Sequence, residues 1–168
     1  MPATTALTLS IVRADYRNPI HAAALIAALD SYARDPMGGG EGLTESAKAN
    51  LVDALAQRPH AFSVLAFDGE QAVGLVNCFE GFSTFAVKPL VNVHDVAVVP
   101  SHRGRGIAQM MMAEVERIAV ERGCCKLTLE VLGANVGAQA LYRKIGFGGY
   151  ALGSATGVAQ FWQKKLSH

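Results

Sequence analysis

The chain has 168 residues, a length that suits one globular domain with a sizeable core. Hydrophobic residues make up 51% of the sequence and charged residues 17%, which excludes an intrinsically disordered chain. The net charge of +1 argues against broad binding to nucleic acids or anionic membranes, because such binding needs a basic patch. No apolar run approaches the roughly 20 residues of a membrane span, and residues 1–10 lack the pattern of a signal peptide. We therefore expect a single cytoplasmic domain over residues 1–168.

Apolar periodicity and turn residues predict the elements of the first half of the chain. They are a strand at 7–13, a helix at 19–33, a helix at 44–57, and strands at 61–67 and 72–79. Asn18 and Pro19 give the first helix a cap and a preorganised first position. A glycine-rich segment, residues 35–42, separates the two helices, and Asp68-Gly69 predicts a hairpin turn between the two strands.

The second half of the chain continues the alternation of strands and helices. Residues 81–85 are predicted to be a flexible aromatic stretch that leads into a strand at 91–99, which Pro100 closes. The later elements are a helix at 107–122, a strand at 126–132, a helix at 135–144, and strands near 150 and at 160–166. This order predicts a mixed α/β fold.

A short loop of arginines and glycines joins the strand at 91–99 to the helix at 107–122. The residues of interest are Arg103, Gly104, Arg105, Gly106, Ile107 and Ala108. The first backbone N–H groups of a helix have no intrahelical partner, and the helix dipole and two guanidinium groups favour an anion there. The loop therefore predicts a phosphate-binding site. The alternative is a glycine-rich turn with exposed arginines.

Two common phosphate-binding patterns fit this loop poorly. The Walker pattern requires Gly-Lys followed by Ser or Thr, which this loop lacks, and the dinucleotide fingerprint is only half complete. A third pattern, Arg or Gln-x-x-Gly-x-Gly or Ala, is satisfied by Arg103, Gly106 and Ala108. Here the chain resembles the GCN5-related N-acetyltransferase (GNAT) family, in which this loop binds the pyrophosphate of acetyl-coenzyme A (acetyl-CoA).

A second signature of the same family follows further along the chain. Residues 135–147 contain an Asn after a predicted strand and then Ala-x-x-Leu-Tyr-x-x-x-Gly-Phe. The resemblance implies that Asn135 contacts the cofactor and that Tyr142 protonates the departing thiolate. The alternative for Tyr142 is a structural tyrosine, packed between a helix and the sheet with a satisfied hydroxyl group.

The resemblance covers nearly the whole chain, and it implies a fold. In the family, about four helices flank a mixed, mostly antiparallel central sheet that contains a parallel pair of splayed strands. The free edge of a splayed strand exposes backbone N–H and C=O groups. By this resemblance, the backbone groups of Val96 and Val98 would hydrogen-bond to the pantetheine arm of acetyl-CoA. A homodimer is the common state of the family.

The base that deprotonates the amine is harder to assign. Residues 82–96 look like the diamine and thialysine acetyltransferase branch of the family, in which a Glu-Asp pair occupies the motif strand. His94 stands here in place of the glutamate, and Asp95 matches. A neutral histidine can accept a proton at pH 7 but cannot pair with a polycation as a carboxylate does, so a polyamine substrate is not implied. Strand alternation predicts that the two side chains face opposite sides of the sheet. The alternative for His94 is a strand histidine hydrogen-bonded to a neighbour.

Further candidates exist for contact with the acceptor amine. They are Asp35, Glu41, Glu80, Phe82, Phe85 and Glu130, of which Glu130 is also a second candidate base. Carboxylates suit a cationic amine, and in the family the segment between the first two helices forms one wall of the acceptor pocket. The alternatives are a flexible connection for that segment, core packing for the two aromatic residues, and a wet strand face for Glu130. Cysteine and histidine spacing indicates no metal site.

These observations predict an acetyl-CoA-dependent N-acetyltransferase that acts on a primary amine of a small molecule. Direct attack by the amine in a ternary complex needs a base, a backbone donor for the oxyanion, and an acid. We expect His94, the N–H of Val96, and Tyr142 in these roles. The alternatives are a peptide or protein amine acetyltransferase, a non-catalytic acyl-CoA-binding domain, and a nucleotide-binding module.

Overall fold

The computed structural model describes residues 8–167, which divide into two compact units, one ending at Leu129 and the other beginning at Glu130. The strands, all in the first unit, are β1 (Leu9–Arg13), β2 (Ala61–Asp68), β3 (Gln71–Ser83), β4 (Lys88–Val98) and β5 (Leu127–Leu129). The helices of the same unit are α1 (Pro19–Arg34), α2 (Glu45–Ala56) and α3 (Ile107–Glu121), with 3₁₀ turns at Pro36–Gly38 and Pro100–His102. The second unit contains α4 (Val136–Lys144).

The strands form one sheet in the order β1-β2-β3-β4-β5. Neighbouring strands are antiparallel except β4 and β5, which run parallel. Four α-helices occur within residues 8–167. The predicted fold class, a mixed and mostly antiparallel sheet with one parallel pair and about four helices, is confirmed.

Side-chain caps explain where the first two long helices begin. The Asn18 side chain accepts a hydrogen bond from the backbone N–H of Ile20 at 2.9 Å, and Pro19 follows as the first helical residue. Thr44 Oγ1 accepts from the N–H of Ala47 at 3.1 Å. Each cap satisfies an N–H group that would otherwise lack a partner within the helix. Both predicted helix starts are confirmed.

Apolar side chains cover both faces of the sheet. On one face, α1 and α2 contribute to a buried cluster formed by Ala24, Leu25, Ala28, Leu55, Ala61, Leu65, Phe67, Leu75 and Ala97. On the other face, α3 buries Ile107, Met111 and Val115, and a methyl group at Gly74 would come within 2.8 Å of Met111 Cε. Each fully buried side chain of this size contributes roughly 1.5–3 kcal/mol. The two layers therefore cover both faces of the sheet that contains β4.

A β-bulge interrupts the pairing of β3 with β4. Asp95 pairs with Asn77, and Val93 pairs with the next residue of β3, Cys78, so His94 is an extra residue on β4. A bulge bends the strand that carries it and resets the alternation of its side chains. His94 and Asp95 therefore need not point to opposite faces.

Several strand boundaries differ from the sequence prediction. β3 extends to Ser83, into the predicted flexible stretch at 81–85, and β4 already begins at Lys88, so residues 84–87 form a hairpin turn. β5 ends at Leu129 instead of Leu132, because only three of its residues pair with β4. The predicted start of the first strand, Leu7, lies outside the described residues.

The predicted strands near residue 150 and at 160–166 do not form. In the second unit, as described up to residue 167, a single bridge joins Ala151 to Val158, and residues 160–166 have no regular structure. Trp162 is 83% exposed. A strand needs a partner strand to satisfy its backbone, and a short apolar pattern cannot supply one. These two strand predictions were therefore wrong.

Candidate functional site

The loop that precedes α3 has the geometry of an anion-binding turn. Gly104 and Gly106 adopt left-handed conformations, with φ of 74° and 77°. Gly106 is the N-cap of α3 and supplies no side-chain cap, so the N–H groups of the first turn have no acceptor from the helix. Such unpaired N–H groups, together with the helix dipole, favour a bound phosphate.

The two arginines of this loop have different environments. Arg103 Nε donates to the backbone carbonyl of Val98 at 3.0 Å, and Arg103 Nη2 donates to Asp35 Oδ2 at 2.9 Å. Arg105 is exposed and forms no hydrogen bond or ion pair within residues 8–167. Arg103 therefore links the loop to the segment after α1, whereas the guanidinium of Arg105 is available to a ligand.

Within residues 8–129, one edge of β4 is open beside this loop. β5 pairs with β4 only over Val91–Val93, and the N–H of Val99 donates to Val73 of β3 at 3.0 Å. Because hydrogen-bonding directions alternate along a strand, the N–H groups of Val96 and Val98 point away from β3, towards the open edge. The carbonyl of Val98 on this edge already accepts from the loop, which agrees with that direction. The open edge can therefore pair with an amide-bearing ligand.

His94 and Asp95 lie on the same face of the sheet. The ring of His94 stands edge-on to Phe79, with 5.4 Å between ring centroids, and Phe79 packs against the cluster beneath α1 and α2. Asn77, two residues before Phe79 and on the same face, donates its Nδ2 hydrogen to Asp95 Oδ2 at 3.0 Å. The prediction of opposite faces was wrong, because the bulge inserts one residue into the alternation.

Two carboxylates influence a third side chain, Tyr32, near this face. Burial raises the pKa of Tyr32, and the charges of Asp95 and Asp35 raise it further. Asp35 accepts a hydrogen bond from the N–H of Met37 at 2.9 Å, and this bond and the Arg103 guanidinium lower the pKa of its carboxyl group. Both oxygens of Asp35 are therefore engaged within the fold.

Glu80 is explained by contacts on the opposite face. Arg122 Nη1 donates to Glu80 Oε2 at 3.0 Å, and the Nδ1 atom of His60 lies 3.7 Å from Glu80 Oε1. The Arg122 guanidinium also lies 4.6 Å from the ring centroid of Phe62. Glu80 follows Phe79 on β3, so alternation directs it to the face covered by α3, away from His94.

The remaining candidates for amine contact are exposed. Phe82 and Phe85 lie at the β3–β4 hairpin with 59% and 96% of their surface exposed, so neither belongs to the core. Glu41 is exposed in the segment between α1 and α2. Glu130 is exposed and follows the end of β5, so the alternation argument for its orientation does not apply. Contact of these residues with a substrate stays a prediction.

The second family signature lies in the second unit, at α4. Asn135 is the N-cap of α4, and its Oδ1 accepts from the N–H of Ala138 at 3.2 Å. Tyr142 is 9% exposed, and its ring centroid lies 5.9 Å from that of Phe147. The signature therefore specifies a capped helix with a buried tyrosine near its C-terminal end.

Sequence reasoning missed three polar residues that lead to Asp95. They are Tyr16, Ser63 and Asn77, which are joined by hydrogen bonds on the face that carries His94. The signal was available: Ser63 and Asn77 each interrupt an otherwise apolar strand. A polar residue in a buried strand requires a hydrogen-bond partner, so each of these residues predicts a polar neighbour in the fold.

Comparison with known proteins assigns the family. A sequence model described as the Acetyltransferase (GNAT) family matches residues 41–147, which is more than half of the chain. The chain belongs to the GNAT family. The resemblance seen in the loop at 103–108 and in residues 135–147 is thereby confirmed.

Individual curated proteins are also similar to this chain. Streptothricin acetyltransferase from Streptomyces lavendulae is 32% identical over 120 residues, which cover 71% of this chain and 58% of that protein. Thialysine N-epsilon-acetyltransferase from Bos taurus is 32% identical over 78 residues, which cover 46% of this chain and 45% of that protein. The chain spans about half the length of the curated relatives it matches.

A solved GNAT-like structure supports the fold. It is an aminoglycoside N-acetyltransferase in complex with CoA, with a TM-score of 0.73 and 20% identity over 97% of this chain and 99% of that one. At this identity the likeness establishes the fold alone. Within residues 8–167, no helix is both long and apolar enough to cross a bilayer, and no cluster of side chains is suited to hold a metal ion.

Proposed function

We propose that this GNAT protein is an N-acetyltransferase that moves acetyl from acetyl-CoA to a primary amine of a small molecule. The observation that carries the proposal is the open edge of β4, which lies between an anion-binding loop and the face that holds His94. Support also comes from the relatives, which are named for acetylation of streptothricin and thialysine.

The residues present fit acetyl-CoA. The N–H groups at the start of α3 and the guanidinium of Arg105 suit a pyrophosphate, and the N–H groups of Val96 and Val98 suit the amides of a pantetheine arm. Arg103 holds the loop through Nε and Nη2, and its Nη1 group, which has no hydrogen bond within residues 8–167, can still contact the pyrophosphate. Acetyl-CoA supplies an acetyl group that is activated as a thioester.

The chain can supply each proton and charge that the transfer needs. His94 accepts a proton from the amine, directly or through a water molecule, and the N–H of Val96 donates to the developing oxyanion. Tyr142 donates a proton to the departing thiolate, and Asn135 contacts the cofactor. These roles for Tyr142 and Asn135 rest on the family signature at 135–147.

Acetyl transfer is tested by incubating the protein with acetyl-CoA and thialysine, streptothricin or an aminoglycoside, and measuring the release of free thiol. Tyr142→Phe should lower kcat by about a hundredfold or more, because general acid catalysis contributes that much. Tyr150→Phe, at an exposed tyrosine of the same unit, is the matched control and should leave kcat unchanged.

Other outcomes favour the alternatives. Turnover on peptide amines alone would favour a peptide or protein acetyltransferase. Binding of acetyl-CoA without turnover on any amine, and indifference to Tyr142→Phe, would favour a non-catalytic domain. Affinity for ATP or NAD in place of CoA would remove the proposal.

The proposal includes one catalytic domain that comprises both units, since the family match at 41–147 includes residues of each. It also includes a cytoplasmic location and a homodimer, the common state of the family. Cell fractionation tests the first, and light scattering of the purified protein tests the second.

A further inference from the structure

A chain of hydrogen bonds runs through the first unit and ends at Asp95. Tyr16 Oη lies 2.9 Å from Ser63 Oγ, and Ser63 Oγ donates to Asn77 Oδ1 at 2.6 Å. Asn77 Nδ2 then donates to Asp95 Oδ2 at 3.0 Å. Ser63 and Asn77 are 1% and 4% exposed, so both links are shielded from solvent. The chain connects the segment after β1 to the carboxylate beside His94.

Each donor in this series of hydrogen bonds points towards the Asp95 carboxylate. Asn77 turns its amide nitrogen to Asp95, because two oxygen atoms facing each other would repel. Its carbonyl then accepts the single hydroxyl proton of Ser63, so the hydroxyl group of Tyr16 must be the donor to Ser63. Burial raises the pKa of Tyr16, which keeps the phenol protonated and able to donate.

Stability alone does not explain this arrangement. Leu65, Leu75 and Ala97 lie on the same face in the buried cluster, so apolar residues fit this environment. A hydrogen bond contributes only about 1 kcal/mol net, and replacing both partners with apolar groups of the same shape is often nearly neutral. What an apolar pair cannot do is hold the Asp95 carboxylate in one orientation.

The other oxygen of Asp95 is available to a ligand. The bond from Asn77 to Oδ2 is the only hydrogen bond of the Asp95 side chain within residues 8–167. His94 lies on the same face, and the negative charges of Asp95 and Asp35 both act on Tyr32. Asp35 is already paired with Arg103, which leaves the Asp95 carboxylate to attract a cation on this face.

We propose that Tyr16, Ser63 and Asn77 are positioning residues for Asp95, and that Asp95 binds the ammonium group of a cationic acceptor. This inference rests on the proposed function and names its substrate class. The bound ammonium loses one proton to neutral His94, which becomes an imidazolium, and the amine keeps the lone pair that attacks the acyl group. Asp95 thus supplies the negative charge that His94 lacks.

The kinetic test uses thialysine and acetyl-CoA as substrates. Tyr16→Phe and Asn77→Ala should raise KM for thialysine about tenfold, with kcat changed less than about twofold and the affinity for CoA unchanged. Ser63→Ala should have the same effect and Ser63→Thr should restore KM, because threonine keeps the hydroxyl. Ser10→Ala, at an exposed serine on β1, is the matched control and should leave KM unchanged.

A second readout does not depend on turnover. In ¹⁵N NMR spectra, the side-chain amide signals of Asn77 should shift in Tyr16→Phe and in Asp95→Asn, since each removes one end of the chain. If the wild type acetylates no amine, the proposed function fails. The amide signals of Asn77 still show whether the hydrogen bonds connect Tyr16 to Asp95. Unchanged signals, or an unchanged KM in folded Tyr16→Phe, would overturn the inference.

Discussion

The substitution Gly106→Ala tests whether the loop before α3 depends on its backbone conformation. Gly106 has φ of 77°, and no atom lies within 4 Å of an added methyl group, so the cost is backbone strain without a clash. A left-handed conformation costs a non-glycine residue roughly 1–2 kcal/mol, and alanine returns about 0.4–1 kcal/mol by restricting the unfolded chain. We expect a net loss of about 1 kcal/mol, which lowers Tm by about 2–4 °C for a chain of this length.

Gly106→Ala should also weaken the binding of acetyl-CoA. This effect is separate from the loss of folding stability, because it depends on where the N–H groups of the loop point. If alanine relaxes towards an ordinary φ, the N–H groups at the start of α3 turn away from a common point. Isothermal titration calorimetry with acetyl-CoA should then show a Kd about tenfold higher, since the lost charge-assisted hydrogen bonds contribute about 1.5–3 kcal/mol each. Scanning calorimetry on the same sample gives the Tm.

Gly69→Ala is the matched control for this experiment. Gly69, in the turn between β2 and β3, also has a positive φ, 58°, and open space around an added methyl group. It should lower Tm by a similar amount and leave the Kd for acetyl-CoA unchanged. An unchanged Kd in Gly106→Ala, or an equal loss of affinity in Gly69→Ala, would refute the assignment of the loop.

Three further predictions concern charge and burial. Arg105→Ala should raise the Kd for acetyl-CoA about tenfold as measured by calorimetry, and by more than Arg103→Ala, because two groups of the Arg103 guanidinium already donate to Val98 and Asp35. The lowered pKa of Asp35 stabilises the fold above the ordinary carboxyl pKa of about 4, and this contribution disappears as pH falls through the folded value. Urea unfolding should therefore separate Asp35→Asn from the wild type at pH 7 but not near pH 2. Burial raises the pKa of Cys78, which is 1% exposed, so a thiol reagent should modify exposed Cys125 in the folded protein and Cys78 only on unfolding.

Elements with local signals could be predicted from the sequence. Asn18 and Thr44 mark helix starts because their side chains satisfy N–H groups only a few residues away. The apolar spacing of Ile107, Met111 and Val115 identifies the buried side of α3. Each of these interactions lies within one element, so no knowledge of distant partners is needed.

Features that depend on distant partners could not be predicted in the same way. The bulge at His94 becomes visible only when β4 is aligned with β3. Ser63 and Asn77 are fourteen positions apart and meet only across two paired strands. The pattern at 160–166 suggested a strand, but a strand needs a partner, and that segment has none among the described residues. Local periodicity contains no information about which strands pair.

The extra residue at His94 affects both the face that carries Asp95 and the open edge of β4. Before the bulge, the N–H of Val91 donates towards β5, to the carbonyl of Lys126 at 3.1 Å; after it, the N–H of Val99 donates to Val73 of β3 at 3.0 Å. The backbone N–H groups of odd-numbered residues therefore point to one edge of β4 before His94 and to the opposite edge after it. The same insertion brings the side chains of His94 and Asp95 to one face. A single residue thus turns the N–H of Val96 to the open edge and places an imidazole next to a carboxylate. Deletion of His94 should therefore change both features, whereas replacement of its side chain should change only the second.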